Sequence, residues 1–393
     1  MSIRAQSQSA SRSTRIHSVQ LSNIAEDMND GYSFTLSGLD VSLANSIRRT
    51  ILSSIPTYVF PVDVPGKCQI EINTSRVHNE IMKHRLGCIP IHRKIPTQKR
   101  TELPSAEASE DDFVANYVLE VDVQNNGESI MYVTTEHFRV KHKKTGQYVD
   151  SVEWFPKNPR TDSYIIFGRL RPRISDSIPG EHLKLTCEFD IGTAEDNSMY
   201  SAVSKATYAN TIDPVKVDDV WAEHATKLAA ENVPATEIAF QKKNFMLLDA
   251  QRYFVADSFD FRIQSIGVYE SPEIVKIACA VLQGKFVDLI QQIDADEFQI
   301  STGESTMLNC FDLVLANEDY TIGKVLEYIL YERFYQGDKL FSFCGFKKFH
   351  PHDADSIIRI AYKSPADKTL VRQHLRMACV EAQEFYTTVY KMF

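Results

Sequence analysis

His350, His352, Asp353 and Asp355 stand almost side by side, two imidazoles and two carboxylates of the kinds that ligate a metal. A turn carrying Pro351 between two strands accounts for the same residues more simply. His78, Glu80 and His84 form a second group, but not the His-Glu-x-x-His spacing that sets two imidazoles one helical turn apart beside a base. Glu80 and His84 are i,i+4 neighbours and can simply pair on a helix. The seven cysteines (Cys68, Cys88, Cys187, Cys279, Cys310, Cys344 and Cys379) are scattered, with no Cys-x-x-Cys knuckle among them. An odd, dispersed set fits reduced thiols in an intracellular compartment. No metal and no other cofactor is expected.

Catalytic signatures are missing too. No Ser, His and Asp set lies in a nucleophile motif, and no glycine pattern cradles a phosphate. No dense aspartate triplet is present to hold magnesium. The chain is therefore expected to have no catalytic residues. Its 393 residues allow about two to four domains at roughly 100–200 residues each. A net charge of -9 argues against gripping a phosphate backbone as the main task. The basic run Arg139, Lys141, Lys143 and Lys144 reads as a solvated hairpin. No apolar run of about 18 residues occurs, so no membrane span is expected. Met1 to Arg15 is rich in Ser and Arg and short of apolar residues, and reads as a disordered tail rather than a transit peptide.

The elements follow from periodicity. Val19, Leu21 and Ile24, the turn Asn29-Asp30-Gly31, and the alternating Tyr32, Phe34 and Leu36 read as a hairpin. Asp40 or Ser42 can cap a helix whose apolar stripe is Leu43, Ala44, Ile47 and Ile51, ended by Pro56. Arg48 and Arg49 fall off that stripe. Ile70 to Ile72 reads as a strand, and Val77 to Leu86 as a short helix with Gly87 as a left-handed stop. Ile95 to Asp112 reads as a surface loop. Strands are predicted over Val118 to Val123, Ile130 to Thr134, Tyr164 to Phe167 and Leu183 to Phe189. Val217 to Glu231 is predicted helical, and Phe259 to Ile263 a strand. Ser271 and Pro272 open a helix with the stripe Val275, Ala278, Leu282, Phe286 and Leu289, weakened locally at Gly284. Asp294 to Ser305 reads as a linker.

The last segment repeats the first. Phe311, Leu313 and Leu315 alternate as a strand, and Thr321 to Tyr331 reads as a helix with Ile322, Val325, Leu326 and Ile329 on one face. Phe341, Phe343 and Ile357 to Ala361 supply strands. Pro365 opens a long helix in which Val371, Leu375, Ala378, Ala382, Phe385 and Val389 form a heptad seam that needs a partner. Strand–helix and strand–seamed helix each occur twice. Such units are incomplete alone and can complete each other by pseudo-two-fold pairing.

Phe34-Thr-Leu-Ser-Gly-Leu-Asp-Val-Ser-Leu-Ala-Asn-Ser-Ile-Arg-Arg-Thr50 with Ile55-Pro56-Thr57 resembles the alpha motif of RNA polymerase subunits. Asn73-Thr74-Ser75, Asn79-Glu80 and His84-Arg85-Leu86-Gly87-Cys88-Ile89-Pro90 extend the likeness to bacterial alpha, its archaeal counterpart and the eukaryotic third-largest subunit. Asn317 to Gly323, Phe343-Cys344-Gly345-Phe346 and His350-Pro351 resemble the smaller partner, the eukaryotic eleventh subunit. A fusion of both is similar to arrangements in large cytoplasmic DNA viruses. The chain departs from the family in having no zinc-type cysteine cluster over Arg93 to Asp112, and an acidic Asp190 to Ser204. It also carries Lys324 and Glu327 where relatives usually place Asn and Arg.

The resemblance implies an α+β chain of two alpha-like dimerisation domains that pair within one polypeptide, the first split by a β-rich insertion. The expected boundaries are a tail over 1–15, the first domain over 16–59 and 206–293, the insertion over 60–205, a linker over 294–307 and the second domain over 308–393. The dimer face is expected to use Leu43, Ala44, Ile47, Ile51, Ile322, Val325, Leu326, Ile329, Leu375, Ala378 and Phe385. Arg48 and Arg49, with Asn45, are expected to dock a large subunit, since guanidinium suits carboxylates at interfaces. Asn45 is open to two readings, a buried register-fixing group or an exposed helix residue. The implied function is a non-catalytic assembly platform of a DNA-directed RNA polymerase. Its partners would be the two large catalytic subunits and small accessory subunits, with DNA met only through the complex, no membrane and no homodimer. It would work inside the cell, in a viral factory or virion if viral and otherwise in nucleus or cytoplasm. Two other classes are a metal-dependent enzyme using His350 to Asp355 and a free-standing homo-oligomeric structural protein.

Overall fold

The computed structural model describes residues 19–26, 31–96, 113–175, 177–302 and 306–393. The chain opens with β1 (Gln20–Glu26), β2 (Gly31–Ser37) and α1 (Val41–Ser53). Then come β3 (Thr57–Val59), β4 (Cys68–Asn73), α2 (Asn79–Gly87), α3 (Phe113–Asn116), β5 (Tyr117–Gln124) and β6 (Met131–Thr134). Strands β7 (Arg139–His142), β8 (Tyr148–Val149), β9 (Ile166–Leu170), β10 (His182–Glu188), β11 (Asp190–Gly192) and β12 (Val203–Ile212) follow. Helices α4 (Pro214–Ala230) and α5 (Ala235–Leu247) lead to β13 (Phe254–Ser265) and α6 (Ser271–Asp294). The end of the chain holds β14 (Ile300–Thr302), β15 (Cys310–Leu315), α7 (Tyr320–Leu330), β16 (Phe341–Lys347), β17 (Ser356–Tyr362) and α8 (Lys368–Tyr390). The class is mixed α and β, and no sheet closes into a barrel.

The described residues divide into two compact units. One gathers the residues up to Thr50, Lys205–Gln264 and Leu282–Phe393; the other gathers Ile51–Ser204 and Ser265–Val281. In the second unit a five-stranded sheet runs β4-β10-β5-β7-β8. Strand alternation builds its core: Leu183, Leu185 and Cys187 of β10 lie across from Val123, Val121 and Leu119 of β5, all buried. Phe60, Phe113, Phe138, Phe167 and Phe189 complete that cluster. The outward face carries ion pairs, among them Lys184 with Glu71 at 2.6 Å and Lys141 with Glu120 at 3.5 Å.

The first unit holds two four-stranded antiparallel sheets, β1-β2-β13-β12 and β14-β15-β17-β16. Phe34 and Phe261 are cross-strand partners whose rings stack at 5.0 Å. Phe393, from the far end of the chain, sets its ring edge-on against Phe34 at 4.8 Å. In the second sheet Arg359 reaches across to Asp312 with two hydrogen bonds of 2.6 and 2.7 Å. All the seam residues of α8 are buried, from Val371 to Val389.

Several sequence expectations shift. Gly87 is the last residue of α2 and has no left-handed backbone; the helix is capped by Cys88. What its missing side chain does is make room: a Cβ there would stand 2.5 Å from the Met199 sulfur. The strand expected over Tyr164 to Phe167 lies later, at Ile166–Leu170. Helix α4 starts earlier than expected, because Asp213 caps it and Pro214 occupies its first turn. Helix α8 begins not at Pro365 but after Asp367, whose carboxylate accepts the Leu370 N–H. The segment read as a linker contains β14, which pairs with β15 through backbone groups that its polar side chains do not prevent. Helix α7 runs on into a π-helical turn over Tyr331–Gly337. Ile95 is buried rather than looped out. Residues 97–112, the turn residues 27–30 and the N-terminal tail lie outside the described residues.

Two helical glycines give opposite expectations. A Cβ on Gly284 meets nothing within 4 Å, whereas one on Gly323 would fall 2.0 Å from the Phe346 ring. Gly284→Ala should raise the unfolding free energy by about 0.5–1 kcal/mol through helix propensity. Gly323→Ala should lower it by about 1–3 kcal/mol by forcing the ring aside. Chemical denaturation of both variants checks this; shifts of the same sign would refute the packing described for α7.

Candidate functional site

Helix α1 is built to be covered on one side. Asp40 starts it, its carboxylate accepting the Ser42 N–H at 2.8 Å and its carbonyl accepting from Leu43 and Ala44. Leu43, Ala44, Ile47 and Ile51 are at most 1% exposed. Ser46 is buried among them. Its hydroxyl donates to the Leu43 carbonyl and accepts from the Tyr386 hydroxyl of α8 at 2.7 Å. Tyr386 in turn stacks on Phe286 of α6. One buried tyrosine thus joins α1, α6 and α8 of the first unit.

Arg49 leaves the helix from the flank of the stripe. Its Nε donates to the Thr321 hydroxyl at 2.9 Å, and its Nη2 pairs with the Asp319 carboxylate. Asp319 also caps α7 by accepting the Thr321 N–H at 2.8 Å. Burial works against the charged carboxylate. The Thr321 N–H and hydroxyl, and the charges of Arg49 and Lys348, outweigh it and hold Asp319 below the usual carboxylate range. Lys285 of α6 pairs with the adjacent Glu318 at 2.9 Å. Arg376 of α8 forks onto Asp294 at the end of α6 at 2.7 and 3.1 Å.

Arg48 is placed differently. It is half-buried, and its Nε and Nη2 both donate to the Asn45 Oδ1, at 3.0 and 2.8 Å. No carboxylate among the described residues pairs with it. Asn45 is thus the residue that holds the guanidinium along the helix edge, one turn away, with its own side chain half-buried. The corresponding edge of α7 carries Lys324 and Glu327, joined at 2.5 Å, and Glu327 also accepts the Phe346 N–H.

The residues named from the sequence fall into two sets. The eleven apolar ones on α1, α7 and α8 are all buried. Of the three polar ones, Asn45 and Arg48 hold each other, while Arg49 is engaged within the chain. Sequence reasoning missed two pairings, Ser46 with Tyr386 and Arg49 with Asp319 and Thr321. The cap Asp319 was legible as an acid two residues before Thr321 and an apolar run, but its distant partner left no local mark.

The other groups resolve into structure. His350 to Asp355 is the turn between β16 and β17, with Asp353 accepting the His350 N–H and Asp355 the Asn317 N–H. His78 caps α2, and Glu80 approaches it at 3.9 Å rather than pairing with His84. Among the described residues no three His, Cys, Asp or Glu side chains converge as metal ligands.

Comparison with known proteins gives the family. The profile of the RNA polymerase Rpb3/Rpb11 dimerisation domain matches residues 33–286. The chain is 26% identical over 290 residues to the human DNA-directed RNA polymerases I and III subunit RPAC1, covering 67% of this chain and 81% of that protein. It is 28% identical over 295 residues to the DNA-directed RNA polymerase subunit Rpo3 of Pyrococcus horikoshii, covering 69% and 97%. Against the Rpo3 of Pyrococcus furiosus the identity is 37% over 109 residues, 28% of this chain and 36% of that one. The matched span holds most of β2, all of α1 and β13 and most of α6, and the chain belongs to the RNA polymerase Rpb3/Rpb11 dimerisation domain family.

Proposed function

We propose that this chain is a non-catalytic assembly platform of a multisubunit DNA-directed RNA polymerase, with both halves of an alpha-like dimer on one polypeptide. The observation that carries this reading is the α1 contact. Its stripe is buried, and its Ser46 and Arg49 are engaged by Tyr386 of α8 and by Asp319 and Thr321 at the start of α7 of the same chain. A covered stripe has no need of a second copy, so a monomer is expected until the other subunits arrive. Joining the halves raises their effective concentration to roughly millimolar for a flexible connection. On this reading residues 308–393 act as the eleventh-subunit-like half. The fused arrangement favours a large cytoplasmic DNA virus as the source, with the chain working inside the cell.

The partners are the two large catalytic subunits, with small accessory subunits around them. Arg48 held on Asn45 is the docking group, because it is the guanidinium of α1 that pairs with no carboxylate among the described residues. Arg49 is the internal clamp. The two arginines therefore separate experimentally. Arg48→Glu, in the full chain co-expressed with its two large subunits, should cut their co-purification by about tenfold or more while leaving the thermal midpoint unchanged. Recovery at full stoichiometry would sink the docking role.

Arg49→Ala and Asp319→Ala should each destabilise the chain, with a coupling energy of about 1 kcal/mol in a double-mutant cycle. The sign with pH follows from Asp319. Its folded-state pKa is depressed, so its contribution is present above the unfolded value near 4 and is lost as pH falls through the folded value. Denaturant midpoints taken in steps from about pH 7 downward through the acid range test this; a coupling that shows no decline as the pH falls below the ordinary carboxylate value near 4 would contradict it.

A further inference from the structure

Helices α1 and α7 match residue for residue at their starts. Asp40 and Asp319 each accept the N–H two positions on, both at 2.8 Å. Each carbonyl accepts the N–H four positions on, from Ala44 at 3.1 Å and from Gly323 at 2.9 Å. Ser42 and Thr321 are the hydroxyl residues at the same position, two beyond the capping aspartate. In this register Asn45 corresponds to Lys324, Arg48 to Glu327, and Arg49 to Tyr328.

The clamp uses only one of the two acceptor sets. Arg49 of α1 reaches the carboxylate of Asp319 and the hydroxyl of Thr321 at the start of α7. The reciprocal contact would run from position 328 of α7 to Asp40 and Ser42 at the start of α1. Position 328 is a tyrosine, and at this place there is a groove of about 540 Å³. Asp40 and Ser42 line it on the α1 side, and Lys324, Glu327, Tyr328 and Tyr331 on the other. Lys324 and Glu327 neutralise each other. The carboxylate of Asp40 has no cationic partner among the described residues, so it is the uncompensated charge of the lining.

We infer that this groove receives an arginine side chain from another polymerase subunit, which completes the second clamp in trans. The acceptor pair is the one that already holds a guanidinium in the occupied copy, a carboxylate beside a hydroxyl at a helix start. A guanidinium presents two parallel donors to a carboxylate and lays its plane on aromatic rings, which Tyr328 and Tyr331 offer here. An ammonium could pair with the carboxylate and the hydroxyl, but it has neither the parallel donor fork nor the planar face that lies flat on a ring. The inference rests on the assembly-platform reading for the source of the arginine, and goes beyond it in naming the chemistry of the contact and its place.

The test uses the full chain with Tyr331 replaced by the photo-crosslinker p-benzoylphenylalanine, co-expressed with the two large subunits and irradiated after assembly. The expected result is an adduct to a peptide of another subunit that bears an arginine within a few residues of the link. Asp40→Asn keeps a good helix cap and should lower the adduct yield by about tenfold. Tyr328→Arg should fill the groove from within, abolish the adduct and raise the thermal midpoint. An adduct to a segment without arginine, no adduct on an assembled complex, or a yield indifferent to Asp40→Asn overturns the inference while leaving the platform reading intact. Failure of the unsubstituted chain to assemble with the large subunits overturns both.

Discussion

The apolar stripe of α1 is buried, and the groups that engage its polar flank lie far downstream: Arg49 reaches a carboxylate 270 positions on, and Ser46 a tyrosine 340 positions on. Fully burying a Leu or Ile side chain contributes about 1.5–3 kcal/mol, whereas a half-exposed ion pair contributes about 1 kcal/mol or less. Leu43 and Ile47, both completely buried, therefore contribute more to stability than the Arg49–Asp319 pair. What hydrocarbon cannot supply is register, since apolar faces slide past each other at little cost. The Ser46–Tyr386 hydrogen bond and the clamp have one satisfying arrangement each. A shift of one turn would break both, leaving Ser46 only its local bond to the Leu43 carbonyl and Asp319 only its capping bond from Thr321, at about 1 kcal/mol for each lost bond.

On the proposed reading of two alpha-like halves in one chain, that division of labour lets the halves diverge at their polar edges. The buried stripes of α1 and α7 are interchangeable in kind, as Leu43 and Ile47 correspond to Ile322 and Leu326. The edges are not. One half presents Asn45 and Arg48, and the other Lys324 and Glu327, so the guanidinium of one copy is replaced by a carboxylate in the other. A dimer of two separate identical chains could not carry such an asymmetry. A single chain can, and each edge is then free to suit a different neighbour.

Much of the frame was legible because it depends on period and on local caps. The stripe of α1, the seam of α8 and the alternation of β2, β5 and β10 each follow from apolar spacing. What escaped has no local signature. The π-helical turn after α7 aligns Tyr331 with Tyr335 in a stack at 4.8 Å, but nothing in Tyr-Glu-Arg-Phe-Tyr-Gln-Gly marks a change of helical repeat. Gly87 looked like a stop because glycine favours the left-handed region. Its actual role, clearance for Met199, depends on a residue over a hundred positions away. The engagement of Arg49 with Asp319 and Thr321 escaped for the same reason. An arginine off an apolar stripe reads as surface until its distant carboxylate is known.

On the proposed assembly-platform reading, the same geometry bears on how partners are selected. With the stripes already covered inside the chain, a neighbour meets polar edges rather than an apolar seam. Contacts of that kind speed encounter and exclude wrong partners more than they add affinity, and they weaken as salt rises. A net charge of -9 is compatible with this, because screening limits each charge to roughly 8 Å at physiological ionic strength. Over that range a partner approaching α1 meets Arg48 and Asp40 themselves and not the acidic average of the surface. Local charge order, set by the register of the buried helices, therefore decides what the platform can accept.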